Sequence, residues 1–182
     1  MPPRVPIKPR RIDRAFSLVE LVIVIVILAI IAAIAIPRIG VGAAAAEESA
    51  LKADLARLRK AIDLYAAEHR GVYPGATDAG GSYGTAGSEA AFANQLTLYT
   101  DIQGRCSEKK DATHVYGPYL APGIPPVPLG PNRGSRRVST SNSGPMSAVG
   151  DGTGWVYNFI TGRIIANADE LDRSGLITYD EY

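Results

Sequence analysis

The chain has one cysteine, so no intrachain disulfide can form. A small domain outside the cytoplasm that lacks this link needs another staple. Histidine is nearly as scarce. His69 and His114 lie far apart and share no metal-ligand spacing. There is no phosphate-binding loop, nucleophile elbow or zinc cluster, and no acid or histidine that sequence places beside Cys106, so the residues do not indicate an enzyme. Net charge is lacking too, at a formal +1. Five positive side chains and one negative fall in the first fifteen residues, which leaves the remainder near −3. That balance argues against general nucleic-acid binding. From residue 21 to residue 36 charge is absent altogether.

The charge-free run is built from Leu, Ile, Val and Ala. Residues 16–36 have about the length that crosses a bilayer as one helix. In lipid, helix is the one state in which a single span satisfies its own backbone. Arg4, Lys8, Arg10, Arg11 and Arg14 precede the run, and the next positive residue is Arg38. This flank predicts a single pass through the inner membrane, N-terminus cytoplasmic and the rest outside. A secretory signal peptide has a shorter apolar stretch that ends at a small-residue site, which residues 43–46 could imitate. An uncleaved signal anchor accounts for the charges and the length. Neither accounts for Glu20, a lone carboxylate at the mouth of an apolar helix, where an ion is costly and needs an assigned partner.

Ala15-Phe16-Ser17-Leu18-Val19-Glu20, followed by an apolar helix with Pro37 near its end, resembles the N-terminal signature of type IV pilins and of the pseudopilins of type II secretion. The resemblance implies a cut by prepilin peptidase between Ala15 and Phe16, N-methylation of Phe16, and Glu20 as the fifth residue of the mature chain. Ala15 stands where the family usually has glycine. An α-amino group freed on Phe16 stays largely protonated near neutral pH. Glu20 of the same or a neighbouring copy can pair with it. An unpaired carboxylate is heavily penalised at low dielectric, so pairing sets the axial register of helices in a filament. The plainer role for Glu20 is a favourable charge at a helix N-terminus.

The resemblance also implies an α+β, pilin-like fold. A long N-terminal helix, transmembrane in its first half, would pack on a small antiparallel β-sheet head. Implied partners are copies of itself and other pseudopilins, prepilin peptidase, membrane lipid, and an inner-membrane assembly platform with a cytoplasmic ATPase. Many type IV pilins close a C-terminal loop with a disulfide, so the single cysteine tilts the reading toward a type II secretion pseudopilus. A type IV pilus for adhesion, motility or DNA uptake is the second reading. A signal-anchored calcium-binding domain that never polymerises is the third.

Along the chain the expected parts are a cleaved leader at 1–15, a membrane and filament-core helix at 16–36, its second half at 37–74 after a kink or melted stretch at Pro37, Gly40 and Gly42, and a head at 75–182. Leu51, Leu55, Leu58, Ile62 and Tyr65 form one apolar stripe with helical spacing, and His69 falls one step further. A coiled-coil dimer is the competing use of that stripe. Glu48 with Lys52, and Arg59 with Asp63, are four-apart pairs. Gly71 and Tyr73-Pro74 should stop the helix. Residues 89–99 suggest a short helix capped by Ser88, with Phe92 and Leu96 inward. Proline-rich residues up to Pro131, and then Arg133, Arg136 and Arg137 in a polar stretch reaching Gly150, read as a long surface loop. Those three arginines suggest a solvated loop before a DNA contact. Residues 154–160 and 163–167, around Thr161-Gly162, read as a β-hairpin with Trp155, Tyr157 and Phe159 on the face that covers the stripe.

Residues 170–181 resemble an EF-hand calcium loop. Glu170, Asp172 and Ser174 alternate as oxygen donors, Gly175 gives the turn, Leu176 offers a carbonyl, Thr178 adds a hydroxyl, and Glu181 sits where a bidentate carboxylate closes the cage. Glu170 replaces the usual aspartate. Calcium there would be the cofactor and the missing staple. The alternative is an acidic turn with Tyr179 and Tyr182 packed on the sheet.

Overall fold

Residues 16–182 are described by the computed structural model, except for the side chains of residues 34–42. The leader and Ala15 lie outside the described residues. Helix α1 runs Leu18–Glu68, 51 residues. Its backbone stays helical past Pro37, so the melted stretch expected there is not found. A proline withholds one backbone donor from a helix. The described residues divide into two compact units at the boundary between Gly42 and Ala43.

In the second unit the predicted stripe is the spine of the core. Leu51, Leu58, Ile62 and Tyr65 are fully buried and Leu55 nearly so. They cluster with Phe92, Leu96, Trp155 and Tyr157 of the same head, which makes the stripe an intramolecular face. Arg70 and Gly71 then turn left-handed, at φ 57° and 83°. The Gly71 amide donates back to the Ala66 carbonyl at 2.8 Å. Positive φ is cheap for glycine, and such a pair ends a helix.

Helix α2 spans Glu89–Thr97. Ser88 Oγ accepts from the Ala91 amide at 3.1 Å, as expected of the N-cap. Two short strands follow, β1 (Tyr99–Thr100) and β2 (Cys106–Ser107), paired antiparallel. The main sheet holds β3 (Val138–Ser141), β4 (Trp155–Asn158) and β5 (Ile164–Ala166) in that order. β4 and β5 make the expected hairpin, with Trp155 opposite Ala166 and Tyr157 opposite Ile164. Gly162 turns it at φ 71°, where a Cβ would run into the Tyr73 ring.

The sheet is mixed, which corrects the all-antiparallel expectation. β3 runs parallel to β4, Val138 beside Trp155. Residues 142–154 supply the crossover that a parallel pair needs. The long surface loop is corrected as well. Leu120, Ile124, Val127 and Leu129 are buried in the core, and the strand β3 lies inside the supposed polar stretch. Trp155 Nε1 donates to the Pro125 carbonyl at 2.9 Å, and the Tyr157 hydroxyl to the Pro74 carbonyl at 2.9 Å. The proline segments are thereby tied to the sheet.

Candidate functional site

The first half of α1 shows what apolar sequence does without a covering partner. Every residue from Phe16 to Ala33 is exposed. A helix that is apolar on all sides belongs inside a protein assembly or a membrane. Among the described residues no helix is long and apolar enough to cross a membrane. The charge-free sequence runs from Leu21 to Ile36.

Glu20 lies in the first turn of α1 and is the one acid there. The Leu21 amide donates to the Ser17 carbonyl at 3.2 Å, so the helical ladder begins at Ser17. The carboxylate therefore sits among amides that have no helical acceptor, at the positive end of the helix dipole. Glu20 forms no ion pair among the described residues. Phe16, 72 % exposed, precedes it by four residues, about one helical turn.

The 170–181 loop is the second candidate. Asp172 Oδ1 accepts from the Ser174 hydroxyl at 2.6 Å, the Ser174 amide at 3.0 Å and the Leu176 amide at 3.4 Å. Gly175 makes the turn at φ 71°. The Ser174 hydroxyl bond, reinforced by the Tyr182 hydroxyl and the loop amides, lowers the Asp172 carboxyl to about 2. Thr178 Oγ1 donates to Asp180 at 2.6 Å, and Asp180 also accepts from the Ala148 amide at 3.1 Å. Glu170 and Glu181 are exposed. Among the described residues no three histidine, cysteine or acidic side chains converge as a metal seat, so Glu170, Asp172 and Glu181 are not brought together.

A staple exists that sequence reasoning missed. The Tyr182 hydroxyl reaches Glu48 at 2.9 Å and Asp172 at 3.0 Å, sharing one proton between two carboxylates. Its ring lies 4.6 Å from Lys52 Nζ, and Lys52 pairs with Glu48 at 2.8 Å as predicted. Arg59 does not form the expected pair with Asp63. It donates to the carbonyls of Tyr182 at 2.7 Å and Ile164 at 3.3 Å. One aromatic residue thus straps the acidic loop to α1.

The remaining candidates are occupied. Arg133 pairs with Glu47 at 2.6 Å, Arg136 donates to the Ile124 carbonyl at 2.9 Å, and Arg137 faces Glu89 at 3.6 Å. The three arginines hold the head together and do not form a free cationic patch. His69 is buried, stacked on Tyr65 with ring centroids 3.8 Å apart, and confined between the carbonyls of Tyr65 and Asp101. Burial pushes the Cys106 thiol up to about 12, which removes its nucleophilic form.

Residues 10–36 match the prokaryotic N-terminal methylation motif. This is the signature of type IV pilin and pseudopilin precursors, which are membrane-anchored structural subunits. The signature implies processing by prepilin peptidase and polymerisation. No curated protein and no solved structure matches the chain.

Proposed function

We propose that the chain is a pseudopilin, the structural subunit of a type II secretion pseudopilus. The observation that carries this is Glu20, without an ion pair among the described residues, on the half of α1 that is exposed and apolar from Phe16 to Ala33, one turn from Phe16 and within the methylation motif. Peptidase would cut between Ala15 and Phe16 and methylate the new amine. The ammonium would be a partner for Glu20, which forms no ion pair among the described residues. In a bundle of such helices, apolar contact alone permits sliding, whereas a desolvated acid accepts only positions that meet a cation. The stems would form the filament core, leaving the inner membrane with heads outward, driven through an assembly platform by a cytoplasmic ATPase.

Mass spectrometry of the mature protein tests the first step. N-methyl-Phe16 is expected; a retained leader defeats the proposal. Glu20→Val should leave the cut intact and abolish filaments in an immunoblot and shearing assay. A strain lacking the chain should lose protein secretion and keep motility. The reverse result would favour a type IV pilus, against which the single cysteine weighs.

Calcium in the 170–181 loop is proposed on narrower grounds. The Asp172–Gly175 turn has formed, and Asp172 keeps its charge well below neutral pH. Asp172, Ser174, Thr178 and the Leu176 carbonyl would hold the ion, with Glu170 and Glu181 recruited to it. Thermal unfolding with calcium and with chelator decides the matter: equal midpoints remove calcium.

A further inference from the structure

The face of α1 opposite the core is exposed, with one tie to the head, the Arg57 guanidinium donating to the Ala121 carbonyl. Ala53, Ala56, Arg57, Lys60, Leu64 and Ala67 recur at helical spacing and are all exposed, Leu64 by 47 %. Arg57 and Lys60 form no ion pair among the described residues. The face is therefore cationic at its centre, with Ala53, Ala56, Leu64 and Ala67 around it and the exposed Asp63 beside Lys60.

The acidic loop has the opposite character. Asp169, Glu170 and Glu181 are exposed and form no ion pair among the described residues. Between them Leu171, Ile177 and above all Leu176, 81 % exposed, project apolar surface. A fold that strapped this loop down only to bury it would not leave a leucine at its tip in water. Acid around an aliphatic knob complements cations around a row of alanines.

We propose that the acidic loop of one copy docks on the Arg57/Lys60 face of a second copy of this chain. This rests on the polymer reading above and names a head-to-stem contact within it. Tyr182 holds the loop level with Glu48 and Lys52 of its own helix. Arg57 and Lys60 lie eight to nine residues further on. Two copies with parallel α1 helices are thus offset by about 12 Å along the axis. The aliphatic contact supplies attraction, and the charges select register and direction.

The test uses the full-length protein in cells that assemble the filament. Lys60→Glu alone, and Asp169→Lys with Glu181→Lys, should each cut filament yield by about fivefold or more, since like charges then face each other. Combining all three should restore most of it. Leu176→Cys with Ala56→Cys should give oxidised dimers in filaments, and neither single variant should; native Cys106 is buried and silent. Unchanged yield in the charge variants, failure of the combination to rescue, or no dimer from the paired cysteines would overturn the contact while leaving the polymer intact. A wild-type chain that forms no filament would overturn the polymer reading itself.

Discussion

Leu58→Ala is the sharpest test of how α1 is attached to the head. Leu58 is fully buried at the middle of the stripe, between Leu55 and Ile62. The substitution removes three carbons, worth about 2.4 kcal/mol of transfer at about 0.8 per methylene. The cavity left in a close-packed core raises the expected cost to about 3–4 kcal/mol. For a unit of this size that lowers the melting temperature by about 10 °C or more. Leu64→Ala removes the same atoms from the opposite face, where the side chain is already half in water, and should cost less than about 1 kcal/mol. Trp155 reports on both variants. It is the one tryptophan, fully buried in the same cluster, so its emission shifts when the head opens. Urea titration of the full chain in detergent gives both values. Equal destabilisation by the two variants, or a Leu58→Ala cost below about 1 kcal/mol, would refute the assignment of the two faces.

Further outcomes follow from the same contacts. Tyr157→Phe strands the buried Pro74 carbonyl and should cost about 1–3 kcal/mol by the same titration, although no packing volume is lost. Cys106 should resist iodoacetamide at pH 8 in the folded protein and react once urea unfolds it; rapid labelling of the native form would contradict its burial. Asp172 has a depressed carboxyl, so its contribution is present above the ordinary aspartate value of 3.8 and is lost as pH falls toward about 2. Amide exchange at Ser174 and Leu176 should therefore accelerate between pH 4 and pH 2 beyond the intrinsic trend, and Asp172→Asn should exchange quickly already at pH 5.

Much of the head was legible because its signals are local. The stripe, the Ser88 cap, the β4–β5 hairpin and the Gly175 turn each depend on residues within a few positions of one another. What was hidden depends on distance. β3 is Val-Ser-Thr-Ser, a polar string that becomes a strand because β4 offers it a parallel edge. β1 and β2 are two residues each, too short for any alternation to show. The proline-rich stretch has its aliphatic residues spaced by imino acids, so no helical or strand period betrays that Leu120, Ile124, Val127 and Leu129 face inward. Arg59 has Asp63 one turn away and yet binds a carbonyl 123 residues on, because the strap closes there. At the candidate site, Glu20 and the apolar run were plain from composition, whereas the role of Tyr182 needed the fold.

The order in which the core residues leave the ribosome has its own consequence. Leu51 to Tyr65 are made early, and much of what shields them, from Leu120 to Ala168, comes last. Until residue 120 is made, the stripe has only Phe92 and Leu96 of α2 from its cluster to cover it. The cluster is complete only with the final hairpin, so a truncation anywhere before β5 should aggregate instead of yielding a smaller head.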